Sequence, residues 1–494
     1  MAKNASGAII PPFNQLNGKV RVPLHRQVYQ RVKNAILDGS LAPGVRLPSA
    51  RTLANDSGVS RNTTEIAFAQ LEAEGFVERR VGAGSFVAAS MPDFVEKPLH
   101  ARAAKTSTNN VNNSLSERGR RIKAAAATNP TATQAFAPCM PSLDAFPLQT
   151  WNRLTARRAR LSGREFLGTN DPAGYRPLRE AVADYLSAAR GVKCDWRQIV
   201  IVSGTQQALS LAAQLLLDAG EQAWFEEPGY LGALSALRNA EAHIVPVPVD
   251  EQGLIVTRGI KLAPAARFAY ITPSHQSPLG VTMSLARRLA LLAWAESAGA
   301  WIFEDDYDSE FRYTGRPFAS LQGLDSAGRV IYAGSFNKVM FPSLRLAYIV
   351  VPPHLVDVFI AARALSTGDV PTLAQSVMTD FITEGHFSSH LRQMRALYHE
   401  RRDILLDAVE RELADRLRVE SADAGMQVAG LLDKDTDDRK ISTQAAAREC
   451  RVSPLSGYYL LDRHRRPGLI LNYAGNPSEI IRRTVRTLAT IIQK

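Results

Sequence analysis

Residues 334–345 read Gly-Ser-Phe-Asn-Lys-Val-Met-Phe-Pro-Ser-Leu-Arg, a stretch equipped to hold a phosphate-bearing aldehyde. Lys338 supplies an amine that condenses with a carbonyl to a Schiff base. Ser335, three residues earlier, offers a hydroxyl to phosphate, and Arg345, seven residues later, offers a planar fork for phosphate oxygens. Upstream, Glu304-Asp305-Asp306-Tyr307 ends an apolar run, and a carboxylate buried there can keep a pyridine nitrogen protonated. Ser203-Gly204-Thr205-Gln206-Gln207 opens a helical stretch after a strand-like run, so its free amides form an anion site. A second constellation lies near the N-terminus. Ser60 can cap a helix whose first turn presents Arg61, Asn62, Thr63 and Thr64, and helix amides, hydroxyls and a guanidinium suit phosphate oxygens and base edges. Arg51, on the preceding helical stretch, can clamp a nucleic-acid backbone, and Gly82 lets a turn approach a minor groove.

These residues sit in two differently built regions. The chain has 494 residues, enough for two to four domains. Apolar residues make up 45% and charged residues 22%, which excludes a wholly disordered or membrane-embedded chain. Residues 19–88 hold 10 Lys/Arg against 6 Asp/Glu and residues 89–135 hold 7 against 3, so with Lys3 the first 135 residues carry +9 of the net +11. A basic block on a near-neutral body points to a polyanion partner at the N-terminal end. Three cysteines without a CxxC pair argue against a disulfide framework or zinc ribbon, and no secretory pattern opens the chain, so the expected compartment is the cytoplasm.

Residues 19–88 read as helix, helix, turn, helix and a two-stranded wing. Leu24, Val28, Val32, Ala35 and Ile36 follow helical spacing to a stop at Asp38-Gly39. Ser49 caps a short helix that Gly58 breaks, and Ser60 starts one running to Glu74-Gly75. Strands are expected over 76–80 and 85–88. Residues 89–135, rich in small and polar side chains, read as a flexible basic linker with a short helix near 118–127; about 45 residues of flexible chain reach roughly 35–40 Å. Residues 136–494 alternate helical stretches with strands over 199–202, 223–225, 244–247, 268–271, 301–303, 330–333 and 346–351, the pattern of a mostly parallel α/β sheet with its ligand at the strands' carboxyl ends.

Arg46-Leu-Pro-Ser-Ala-Arg-Thr-Leu-Ala54, Gly58-Val-Ser-Arg-Asn-Thr-Thr64 and Leu71-Glu-Ala-Glu-Gly-Phe76 together resemble the winged helix-turn-helix of the GntR regulators. That resemblance implies DNA contacts for Arg51, Ser60, Arg61, Asn62, Thr63 and Gly82. At Glu65 some members carry a base-reading Arg; here a carboxylate could accept from cytosine or face solvent. The Lys338 stretch, with Asn170-Asp-Pro-Ala-Gly-Tyr175, Glu226-Glu-Pro-Gly-Tyr230 and Thr272-Pro-Ser-His-Gln-Ser-Pro-Leu-Gly280, resembles a fold-type I pyridoxal-phosphate aminotransferase. The combination resembles the MocR subfamily of GntR regulators.

The resemblance implies pyridoxal 5'-phosphate held through Lys338, with Asp305 on the pyridine nitrogen and Tyr307 on the phenolic oxygen. Tyr230 would stack on the ring, and Ser335, Arg345 and the amides of Gly204 and Thr205 would hold the phosphate. His275 or Gln276 would approach the phenolic oxygen, while Asp306 and Asp308 would be structural. Two departures stand out. The C-terminal stretch Gly468-Leu-Ile-Leu-Asn-Tyr-Ala474 lacks the Arg with which aminotransferases clamp a substrate carboxylate, and Thr169 stands where relatives carry a Tyr reaching the neighbouring subunit's phosphate. Loss of a bidentate charged pair costs an amino-acid complex about 1.5–3 kcal/mol, which argues against efficient transamination and leaves cofactor binding intact. The expected function is a homodimeric, PLP-binding transcriptional regulator that reads PLP itself or an amino compound. The competing reading is an active PLP-dependent aminotransferase with an appended nucleic-acid-binding domain.

Overall fold

The computed structural model describes residues 22–80, 82–89, 115–126, 135–161, 163, 168, 171–314, 318–368, 370–419 and 423–492. Most of the segment read as a linker, and Thr169 and Asn170, lie outside these. The chain divides into two compact units, one ending at Leu115 and one beginning at Ser116.

The N-terminal unit comprises α1 (Leu24–Leu37), α2 (Ala50–Ser57), α3 (Arg61–Ala73), β1 (Val77–Arg80) and β2 (Gly84–Val87). Val28, Val32 and Ile36 meet Leu53, Phe68, Leu71 and Phe76 in its core, as helical spacing requires. Ser49 and Ser60 cap α2 and α3, each accepting from an amide three residues on at 3.1 Å. Gly58 ends α2 at φ +66°, a left-handed conformation that favours glycine. β1 and β2 pair antiparallel. Residues 44–47 extend this wing: Val87 donates to Val45 O and Leu47 to Ser85 O at 2.9 and 2.8 Å.

The second unit opens with α4 (Glu117–Ala126), α5 (Leu148–Leu161), α6 (Arg176–Arg190), β3 (Ile199–Val202), α7 (Thr205–Leu216), β4 (Gln222–Glu227) and α8 (Leu231–Asn239). It continues with β5 (His243–Asp250), β6 (Gly253–Leu254), α9 (Val256–Leu262), β7 (Phe268–Ile271), α10 (Leu285–Ala298), β8 (Trp301–Asp306), α11 (Leu321–Leu324), β9 (Val330–Ser335), α12 (Phe336–Val339) and β10 (Ala347–Val350). Its main sheet runs β3-β10-β9-β8-β7-β4-β5-β6. β5, β4, β7, β8 and β9 are mutually parallel. β10 is antiparallel to both neighbours, because the short 336–346 connection from β9 cannot make a full crossover. Both sheet faces are covered: Ile199 and Ile201 of β3 enter one apolar cluster while Val200 and Val202 enter another.

The alternation over residues 136–494 predicts one α/β body and gives no sign of a separate last third. There, after helices α13 (Val356–Thr367), α14 (Thr372–Thr383) and α15 (His386–Leu413), a second, antiparallel sheet forms. It comprises β11 (Arg418–Val419), β12 (Gln427–Leu431), β13 (Ser453–Pro454) and β14 (Gly468–Asn472), ordered β11-β12-β14-β13. Two of these strands are two residues long, and β12 starts on a polar residue and contains Ala and Gly, so its β-branched signal is reduced to Val428.

Candidate cofactor site and nucleic-acid interface

The carboxyl ends of β8 and β9 and the amino end of α7 carry the predicted chemical residues. Asp305, on β8, is buried, and its Oδ2 accepts from Tyr270 Oη of the adjacent β7 at 2.8 Å. Its Oδ1 is buried without a hydrogen-bond partner. Burial pushes Asp305 up to about 7, with the Tyr270 hydrogen bond and the Lys338 ammonium pulling the other way. A buried carboxylate oxygen in this state is costly unless a donor arrives, and a charged N–H satisfies both its lone pair and its charge. The unfilled acceptor therefore fits a protonated pyridine. Lys338 is half-buried on α12, one short turn beyond β9, with Nζ 3.5 Å from the carbonyl oxygen of Cys139.

The phosphate-binding candidates gather at one end. Gly204 is the N-cap of α7, which has no side-chain cap, so the amides of Thr205 and Gln206 at its start remain available to an anion, while that of Gln207 donates to Gly204 O at 3.1 Å. A Cβ built on Gly204 would stand 3.3 Å from Asn337 Nδ2 and 3.8 Å from an Arg345 guanidinium nitrogen. Glycine here leaves open the space in front of that fork. Ser335, the last residue of β9, is buried and leaves α12 without a side-chain cap. Asn337 fastens the assembly: Nδ2 donates to Ser203 O at 3.1 Å and Oδ1 accepts from Leu346 N at 2.8 Å.

Tyr307 is buried just past β8, its Oη 3.1 Å from His275 Nδ1, which also meets Asp308 at 3.0 Å. Burial raises the Tyr307 phenol well above its ordinary value, so it stays protonated and able to donate. Tyr230 is the N-cap of α8, with its ring 6.4 Å from that of Tyr270. Asp306 is held by Arg190 Nε at 2.8 Å and Tyr332 Oη at 2.6 Å.

Gln276 is placed differently from the expectation. Its Nε2 donates to Pro228 O at 2.8 Å, Ser277 O at 2.9 Å and Glu226 Oε2 at 3.2 Å, while Oε1 accepts from Leu279 N at 2.9 Å. Both N–H groups of the amide are spent inside the turn, leaving no donor for the cofactor's phenolic oxygen. Glu226, which also accepts from Thr272 Oγ1 at 2.6 Å, is pushed up to about 7 by burial.

On the N-terminal unit, Arg51, Ser60, Arg61 and Asn62 are exposed on α2 and at the start of α3, and Thr63 is half-exposed. The Thr63 and Ser60 hydroxyls are 2.8 Å apart, so both belong to the cap as well as to the surface. Gly82 occupies φ +75° with open space where a Cβ would lie. Glu65 does not simply face solvent: Arg79 of β1 holds it at 3.2 Å, and Arg61 lies 3.9 Å away.

Sequence reasoning missed Tyr270, Asn337 and Cys139. Asn337 beside Lys338 was the one legible signal, being a polar residue in the same turn. The others reach the site from β7 and from the segment before α5.

Residues 24–87 match the family described as bacterial regulatory proteins, gntR family, and residues 141–487 match aminotransferase class I and II. The chain is 42% identical over 476 residues to the probable rhizopine catabolism regulatory protein MocR of Rhizobium meliloti, covering 94% of this chain and 93% of that one. It is 34% identical over 417 residues to the HTH-type transcriptional regulator TauR of Rhodobacter capsulatus, covering 82% and 81%. Among solved structures it is similar to LysN, the α-aminoadipate aminotransferase of Thermus thermophilus complexed with N-(5'-phosphopyridoxyl)-L-leucine. The TM-score is 0.71 at 28% identity, covering 78% of this chain and 98% of that one.

Proposed function

We propose, from the premise that this chain belongs to the MocR-type regulators of the GntR family, that its body reads a small ligand and thereby sets how its head engages an operator. The chain is an HTH-type transcriptional regulator, and its body has the class I and II aminotransferase fold and binds pyridoxal 5'-phosphate. The bound cofactor supplies an electrophilic aldehyde and a visible chromophore. In this reading Lys338 holds the aldehyde covalently and Asp305 Oδ1 accepts from the pyridine nitrogen. Tyr230 covers the ring and Tyr307 donates to the phenolic oxygen. Ser335, Arg345 and the amides of Gly204 and Thr205 bind the phosphate. Gln276 is left to its turn. The observation that carries this reading is the unpartnered, buried Asp305 Oδ1 beside Tyr270.

On the head, Arg51 and the first turn of α3 (Ser60, Arg61, Asn62 and Thr63) contact DNA, and Gly82 brings the wing turn to a groove. The functional divisions are 19–88, a linker over 89–135 and a body over 136–494. The working unit is a homodimer acting on cytoplasmic DNA. Its effector, PLP itself or an amino compound, changes DNA affinity only by binding two arrangements of the dimer unequally. β14 carries Gly-Leu-Ile-Leu-Asn with no cation for a substrate carboxylate, which favours PLP or an amine without an acid group over an α-amino acid.

The test combines both ends of the molecule. Purified protein soaked in PLP should gain an absorbance band that borohydride reduction fixes to Lys338. Arg61→Ala should weaken operator binding by about 1–3 kcal/mol in salt-controlled footprinting. Protein that stays colourless, or binding and base preference untouched by Arg61→Ala, would overturn the corresponding half. The second reading, a working aminotransferase with a DNA-binding head, is favoured by the fold shared with LysN. Steady conversion of an amino donor with a 2-oxo acceptor, lost in Lys338→Ala, would establish it.

A further inference from the structure

We propose that Gln427 and Cys139 form the wall that recognises the far end of the effector. The effector is then a primary amine bearing a neutral hydroxyl or amide oxygen, not a carboxylate. This inference rests on the reading that PLP is held at Lys338.

Cys139 has φ +52°, in the left-handed region that disfavours a side chain, yet it is not glycine. Its backbone N–H and its thiol both donate to Gln427 Oε1, at 3.0 and 3.4 Å. Its carbonyl oxygen stands 3.5 Å from Lys338 Nζ. Burial raises its thiol, while the Lys338 ammonium lowers it and the Asp308 and Asp305 carboxylates raise it, so the sulfur shares their surroundings. A strained residue held against the reactive lysine from one side and a buried amide from the other is a positioned residue.

Gln427 is the independent observation. It is 4% exposed at the start of β12, with Oε1 committed to Cys139. Its Nε2 donates to no group among the described residues and is not one of the polar atoms sealed away without a partner, so its N–H groups are open to an incoming acceptor. Asn472, paired with Gln427 across β12 and β14, is already spent: Nδ2 donates to Met140 O at 3.2 Å and Oδ1 accepts from Gly475 N at 3.0 Å. An amide N–H without an acceptor on the residue that holds Cys139 can donate to a ligand oxygen arriving next to Lys338. A carboxylate reaching this wall would lose its hydration and meet an amide where an arginine fork would have neutralised it. A hydroxyl or amide oxygen loses far less and makes the same hydrogen bond. Sites built to bond a polar group reject analogues that lack it more sharply than apolar pockets reject added bulk.

The experiment titrates the full-length, PLP-loaded protein by absorbance with three amines of one carbon skeleton: serinol (2-amino-1,3-propanediol), isopropylamine and L-alanine. Serinol should perturb the cofactor band at concentrations about tenfold lower than either of the others. Gln427→Leu removes the amide. Gln427→Glu keeps an acceptor for Cys139 and loses the donor. Both should retain the band, showing an intact loaded site, and bring the serinol-to-isopropylamine ratio to within about threefold. Tighter binding of L-alanine than of serinol, no response to any of the amines, or a wild-type ratio in Gln427→Glu overturns the inference while the cofactor reading stands. Wild-type protein without a band sinks the cofactor reading and this inference together.

Discussion

Asp305 combines full burial with an unfilled acceptor, and both have measurable consequences. Asp305→Asn keeps the shape and one acceptor but loses the charge. Cofactor retention should fall about 10- to 100-fold, as expected for a charged hydrogen bond of about 1.5–3 kcal/mol, read from the band remaining after dialysis. The same burial sets a pH dependence in the cofactor-free protein. Asp305, Glu226, Glu304 and Glu310 are each pushed up to about 7 by burial. Their unfolded values lie near 4. Between about pH 4 and pH 7 the unfolded chain therefore ionises first, and stability falls as pH rises through that window. Urea titrations at pH 5 and pH 8 should show this fall, and Asp305→Asn should flatten it; an unchanged difference would refute the assigned cause. At this scale the reactive types were legible. Lys338, Ser335 and Arg345 share one stretch, and Asp305 ends an apolar run. The fate of Gln276 was not, because its hydrogen bonds close within a folded turn that includes Glu226 and Pro228, some fifty residues away.

α3 depends on its cap and on the wing strand beside it. Ser60→Ala removes the acceptor for Thr63 N and should cost about 1 kcal/mol of head stability by thermal melting. Arg79 bridges β1 to α3 by meeting Glu65 and Glu72, each at 3.2 Å. Arg79→Ala should cost the fold no more than about 1 kcal/mol, since the pair is partly exposed. It frees the Glu65 carboxylate beside the reading turn, so DNA binding should weaken by more than stability does. Equal losses in filter-binding and melting measurements would refute that. Helix starts at Ser49 and Ser60, the stop at Gly58 and every main-sheet strand except the two-residue β6 could be read from caps, glycine and apolar runs. The small antiparallel sheet could not, because two of its strands are two residues long, β12 breaks its apolar run with Gln427 and Gly430, and its pairing of β14 with β12 joins distant segments.

Each unit of the molecule has its own apolar core: Val28, Phe68 and Phe76 in one, the clusters around the main sheet in the other. Calorimetry should accordingly resolve two transitions, with PLP at 100 times its Kd stabilising the body by about 2.7 kcal/mol and leaving the head's transition in place. A single transition that moves as a whole would show that the two cores do not unfold independently. The sequence by itself determined the two-part architecture, the helix-turn-helix, the alternating α/β body and the identity of the chemical side chains. Each of these follows from local capping, periodicity or spacing along the backbone. Only the tertiary structure decided which groups are left wanting a partner. Whether Asp305 Oδ1, Gln276 or Gln427 Nε2 is satisfied depends on residues dozens to hundreds of positions away, and burial turns that accident of proximity into binding energy.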